Sequence, residues 1–197
     1  MLPTWGDKVT DQHGGTGPVI FTPENAEIYG KYLGERYKND SVIWILGGDR
    51  LVTNDTVFAI WESMARGIRE GDGGKHLITY HPRGGAKSSF WFHNEKWLNF
   101  NMYQSGHAKR FNEVYHLAQD NYLLQPVKPF LDGEPAYEDI PVEFWHYMDW
   151  DTRLKVPEEV LDSNHLVKKK SHFEKGFFTG YDMRVHAYWN LLSGACG

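Results

Sequence analysis

"VIWILGGDR", residues 42–50, is the stretch on which the reading of the whole chain turns. Five apolar residues, most of them β-branched or aromatic, are closed by Gly47 and Gly48 and followed at once by Asp49 and Arg50. A run this short, bounded by glycines, reads as a buried strand rather than a helix. The carboxylate it delivers is either a turn aspartate capping the next helix or one half of an acid–base pair. The segments around it have to separate the two.

Immediately downstream, "NDTVFAIWESMARGIRE" begins with Asn54 or Asp55 as an N-cap and sets Val57, Ile60, Trp61, Met64, Ala65 and Ile68 on one helical stripe. "GDGG" breaks that helix, and "HLITY" (76–80) is the next strand. "WLNFNMY" (97–103) is a third, followed by helical periodicity across "HAKRFNEVYHLAQD" (107–120). "PVKPFL" (126–131) is a fourth strand, weakened by its two prolines. Upstream lies a helix with Pro23 in its first turn, "TPENAEIYGKYLGERYKN". "YDMRVHAYWNLLSGACG" reads as a buried helix running into a glycine turn. "GGTGP" (14–18) reads as a loop and "KKK" (168–170) as a solvated face.

Strands and helices that alternate in this way imply βα units and a parallel sheet. The pattern alone does not separate an open sheet from a barrel, and four strands are too few to close an eight-stranded one.

The bulk numbers narrow the class. A chain of 197 residues, 41% hydrophobic and 24% charged, is long enough for one domain with a sizeable core. A net charge of −5 argues against nucleic acid as a partner. No run approaches the ~18 apolar residues of a membrane span, and the N-terminal residues carry no export-signal pattern. Cys196 is the only cysteine, which excludes an internal disulfide and a cysteine-rich zinc site. Aromatic residues make up 15%, with eight tryptophans. They either fill the core or stack on the apolar faces of sugar rings.

In parallel α/β folds the ligand site lies at the carboxyl ends of the strands. The four tips here carry Asp49 and Arg50; His81 and Arg83; Gln104, Ser105 and His107; and Asp132, Glu134, Tyr137 and Glu138. Phosphate-cradling motifs, the G-x-S-x-G elbow and H-E-x-x-H are absent. His81 and His107 could ligate a metal with Asp49, but without ligand spacing. What remains is a pair of carboxylates, Asp49 and Glu134, on two strand ends. Glycoside hydrolysis requires such a pair, one protonated and one ionised. Pro135 disfavours helix at Glu134 and holds it at an extended tip.

"LPTWGDKV", "WILGGDR", "TYHPRGG", "NMYQSGH", "QPVKPFLDGEPAYE" and "YDMRVHAYWNLLSGACG" together resemble the apiosidase-like glycoside hydrolases (family 140), in order along nearly the whole chain. The resemblance implies a partial TIM (β/α)8 barrel, running from about the end of strand 3 to just before strand 8, as a single catalytic domain over residues 1–197. It implies a retaining glycosidase that removes apiose from rhamnogalacturonan II side chains without a cofactor. Asp49 would be the acid/base and Glu134 the nucleophile. Trp5, Arg50, His81, Gln104, His107, Asp132, Tyr137 and Glu138 would form the sugar subsite. A pectin-degrading enzyme is expected to be extracellular or periplasmic. Open barrel edges are expected to favour self-association. The alternatives are a non-catalytic carbohydrate-binding or interaction module on an incomplete barrel, and a metal-dependent hydrolase using the histidines.

Overall fold

Helix α1 (Pro23–Tyr37) starts where a capping box allows it to: Thr22 Oγ1 accepts the Asn25 N–H (3.4 Å), and the Asn25 side chain accepts the Thr22 N–H (2.8 Å). The structure is a computed structural model that describes residues 1–11, 18–149, 153–154, 157–164 and 167–197. Most of the "GGTGP" loop lies outside these residues. Strand β1 (Trp44–Gly47) follows α1, then helix α2 (Asp55–Asp72). The cap of α2 is Asn54, whose side chain accepts the Val57 N–H at 2.9 Å, and Gly73 closes the helix in the left-handed region. Asp49 therefore has no part in capping α2.

Strand β2 (Ile78–His81) pairs in parallel with β1, in the register Trp44↔Ile78 to Gly47↔His81. Strand β3 (Asn101–Tyr103) pairs in parallel with β4 (Phe130–Asp132). Backbone and side-chain bonds join the two pairs. Asn99 donates its N–H to Ile78 O (2.9 Å) and accepts the Ile78 N–H on Oδ1 (2.8 Å), and Thr79 Oγ1 donates to Phe100 O (2.7 Å). The result is an arc in the order β1-β2-β3-β4 with all carboxyl ends on one side.

Short helix α3 (Ser89–Phe92) precedes β3, and α4 (Val114–Tyr122) links β3 to β4. An antiparallel pair, β5 (Met148–Asp149) and β6 (Arg153–Leu154), lies in the long segment before α5 (Gly180–Leu192). This is a mixed α/β chain with parallel strands, as a partial glycoside-hydrolase TIM-like fold requires. No helix among the described residues is long and apolar enough to cross a membrane.

The main core lies between β1, β2 and the apolar stripe of α2. Trp44, Leu46, Trp61, Met64, Ile78, Tyr80 and Phe92 are fully buried there. Each such side chain contributes about 1.5–3 kcal/mol of burial. Most aromatic rings therefore have a packing task.

Two elements differ from expectation. Residues 107–113 form a loop instead of the first turns of α4, because this segment is engaged elsewhere: Asn112 Nδ2 donates to Ser105 O (3.0 Å) and Arg110 pairs with Asp182. Helix α5 is not buried as a whole. It buries a polar stripe of Asp182, His186 and Asn190 and leaves Tyr181, Tyr188, Leu191 and Leu192 exposed.

Candidate active site

At the tip of β1 the backbone takes three left-handed residues in succession: Gly47 (φ 94°), Gly48 (φ 93°) and Asp49 (φ 56°). Only glycine fits the first, since a Cβ there would lie 2.3 Å from His81 O. A non-glycine residue with positive φ is strained and persists where its surroundings hold it. Here the Asp49 N–H donates to His81 Nδ1 (3.2 Å), and Arg50 Nη1 donates to Asp49 O (2.8 Å) while lying 3.7 Å from Asp49 Oδ2. Tyr80 OH in turn donates to Arg50 O (3.0 Å). Trp5 rests on Gly48, where an added Cβ would meet the indole at 3.0 Å, and is 45% exposed.

Glu134 stands at the opposite end of the arc. The Gly133 N–H, donated to Tyr103 O (2.8 Å), fixes the turn after β4. Three donors converge on the Glu134 carboxylate: His81 Nε2 on Oε2 (3.1 Å), His107 Nε2 on Oε1 (3.2 Å), and Tyr137 OH on Oε1. Because His81 Nδ1 accepts from Asp49, its single proton sits on Nε2 and is directed at Glu134. One neutral imidazole thus ties the backbone of one carboxylate residue to the side chain of the other.

Partial burial pushes the Glu134 carboxyl up, but the bonds from His107, His81 and Tyr137 outweigh it and hold the group well below the usual carboxylate range. The Tyr137 phenol is pushed up by burial, by its bond to Glu134 and by the charges of Glu134 and Asp49. It stays a donor at any working pH.

Asp49, Glu134, Gln104 and His107 line one cleft of about 750 Å³. Gln104 is buried, and its Oε1 has no hydrogen-bond partner among the described residues. Tyr137 reaches the site through Glu134 and packs on His107, with ring centroids 4.1 Å apart.

Of the expected subsite residues Gln104 and His107 line the cleft; Trp5, Arg50, His81 and Tyr137 adjoin it through Gly48, Asp49 and Glu134, and Asp132 and Glu138 have other surroundings. Asp132 is 8% exposed and spends its oxygens on Ser105 N–H and Asn190 Nδ2, both at 3.2 Å, beneath the cleft rather than in its lining. Burial pushes its carboxyl up. Glu138, the neighbour of Tyr137, lies outside the lining, with Oε1 2.5 Å from where a Cβ on Gly180 would sit.

Sequence reasoning missed Lys109, Asn112, Phe144 and Trp145, which also line the cleft. The aromatic run "EFWHY" (143–147) was the available signal for the last two. Arg83 and Lys109 are exposed on the wall, with no acidic partner among the described residues. Among the described residues, no group of three or more His, Cys, Asp or Glu side chains is arranged to hold a metal ion.

The model of the family described as "Apiosidase-like, catalytic domain" matches residues 1–197. The crystal structure of a glycoside hydrolase family 5 protein from Bacteroides vulgatus superposes with a TM-score of 0.73 at 31% identity, over 100% of this chain and 38% of that one. A second solved structure, a glycoside hydrolase, gives 0.68 at 34% identity, over 100% and 40%. The chain thus spans about two fifths of the length of these solved structures. No curated protein matches it. With a family match that runs the full length of the chain and a cleft carrying two carboxylates at parallel-strand ends, the chain belongs to the apiosidase-like catalytic-domain family.

Proposed function

We propose that this chain carries the catalytic centre of a retaining glycosidase that releases apiose from pectic, rhamnogalacturonan II-type side chains. Glu134 attacks the anomeric carbon while Asp49 protonates the glycosidic oxygen. The covalent glycosyl-enzyme is then hydrolysed by a water that gives its proton to Asp49. The observation that carries this reading is the triple donor set on Glu134, which keeps it ionised as a nucleophile must be. The same donors weaken their hold as the carboxylate's negative charge is neutralised in the glycosyl ester and strengthen it again when the carboxylate departs, which favours the second step.

His81 aligns the two carboxylate residues through one ring. Trp145 and Trp5, 39% and 45% exposed, are available for stacking on a sugar ring. Arg83 and Lys109, which have no acidic partner among the described residues, support an anionic substrate, which a pectic chain is. Such a substrate is met outside the cytoplasm, so an extracellular or periplasmic setting belongs to the same reading.

The test is hydrolysis of an apiosylated pectic oligosaccharide by the full-length protein and its D49N and E134Q variants. E134Q is expected to lose at least ~10³-fold in kcat, and the first-released apiose is expected to keep its anomeric configuration. EDTA is expected to leave the rate unchanged. Full activity in either variant, or an inverted product, overturns the assignment.

A further inference from the structure

The face that α5 buries is polar: Asp182, His186 and Asn190 recur every four residues and are 1–2% exposed. An apolar stripe would have packed the helix without the cost of desolvating three polar groups. All three bear on the loop that carries His107. At its far end, Arg110 Nε donates to both Asp182 oxygens (3.0 and 3.1 Å), and His186 Nε2 donates to Arg110 O (3.2 Å). At its near end the contact is relayed. Asn190 Nδ2 donates to Asp132 Oδ2 (3.2 Å), and Asp132 Oδ1 accepts the Ser105 N–H (3.2 Å). The Asn190 amide cannot flip without loss, because its Oδ1 accepts Tyr103 OH (2.9 Å). Between the two anchored ends His107 donates to Glu134, and Gly106 donates its N–H to Glu134 O (3.1 Å).

We propose that the buried polar stripe of α5 is a positioning device for the nucleophile, with Asn190 acting through Asp132 and Ser105 to keep His107 directed at Glu134. The proposal rests on the reading of Glu134 as the nucleophile. Asn190, Asp132, Asp182 and His186 line no part of the cleft, so they are positioning residues and not catalytic ones. A loop is less exact a support than a helix, and clamping its ends to one rigid element supplies the tolerance that catalysis needs. A displacement of about 1 Å at the reacting groups can cost ~10²-fold.

The experiment uses N190A and N190D in the full-length protein. N190A is expected to lose roughly 10- to 100-fold in kcat with KM nearly unchanged. Its crystal structure is expected to have the His107 Nε2–Glu134 Oε1 contact lengthened beyond hydrogen bonding. N190D guards against a simple folding defect. It sets a second carboxylate against Asp132, with Tyr103 OH on its other side and His186 one turn away. In acid one shared proton bridges the pair and the clamp holds. As pH rises both ionise, repel and open it. The activity of N190D relative to wild type is therefore expected to fall as pH rises, at constant secondary structure by circular dichroism.

A 3.2 Å His107–Glu134 contact preserved in N190A, or a pH-independent ratio for N190D, overturns the proposal. Full activity of E134Q would overturn the functional reading instead, and the N190A structure would still decide the geometry.

Discussion

Glu134 has three hydrogen-bond donors on two oxygens, and they are not equivalent. His81 and His107 are 14% and 5% exposed at the side chain, whereas Tyr137 is 45% exposed and comes from the loop three residues on. Y137F removes one donor without disturbing the imidazoles, so the Glu134 carboxyl should titrate at higher pH. The folded-state pKa lies below the unfolded one. The group's contribution is therefore present above the unfolded value and lost as pH falls through the folded value. Without the phenol that loss comes earlier on acidification, and the acid limb of kcat/KM is expected to move to higher pH. A pH–rate profile in which the limb stays in place would count against the donor set as the cause. Asp49, His81, His107 and Glu134 were legible in the sequence because glycine, proline or a short apolar run marks each strand tip. Their partners were not. Asp132 and Glu134 sit two residues apart with the same chemistry, and the bonds from Ser105 and from Asn190, 58 residues beyond Asp132, make the first a structural staple while the second faces the cleft.

Among the elements, α1 and α2 were readable almost to the residue, since caps and stripe are local signals. Their mutual packing was not. The two helices touch backbone to backbone, and a Cβ on Gly67 would lie 2.1 Å from Glu27 O and 2.8 Å from Lys31 N. Ala at this position would gain about 1 kcal/mol of helix propensity but would force two backbones apart, an overpacking cost of about 1–3 kcal/mol. Backbone atoms cannot rotate away as a side chain can, so the second effect wins. A backbone clash of 2.1 Å belongs in the upper part of that cost, so after the propensity gain G67A is expected to lower stability by about 1–2 kcal/mol in urea unfolding, and an unchanged or raised midpoint would contradict the contact. Removing the α2 cap with N54A should cost about 1 kcal/mol. The strands are shorter than their apolar runs, because hydrogen-bonded pairing ends where loops rise toward the cleft. The start of α4 and the character of α5 were misread for one reason. Phe111 and the aromatic residues of α5 fit a helical period, but long-range bonds from Asn112 and Arg110 hold residues 107–113 out of the helix, and the face that α5 buries is polar rather than aromatic.

On the scale of the whole molecule, a protein with net charge −5 exposes Arg83 and Lys109 on the cleft wall, neither with an acidic partner among the described residues. For an anionic chain they act as a local attraction against a repulsive background, so R83A/K109A is expected to raise KM several-fold at low salt and to flatten its salt dependence. The sheet itself is an arc with its own chain ends along the outer strands. Met1 donates to Ile43 O and accepts the Ile45 N–H (2.9 Å) beside β1. Beside β4, the Cys196 N–H donates to Phe130 O (2.8 Å) and Gly197 O accepts the Asp132 N–H (3.0 Å). Among the described residues β1 and β4 each pair with a named strand on one side only, while β5 and β6 pair with each other, so β1 and β4 are the edge strands of the arc. Such edges are templates for strand addition, and the exposed apolar face of α5 adjoins the β4 side through the turn at Ser193–Gly194. The net negative charge opposes association, but only within a Debye length of ~8–10 Å at physiological salt. The 197-residue chain on its own is therefore expected to self-associate at micromolar concentration, and more strongly as salt is raised. Light scattering coupled to size exclusion distinguishes the outcomes. Growth of mass with concentration and salt follows from open edges, whereas a monomer under all conditions would mean that the terminal segments already close them.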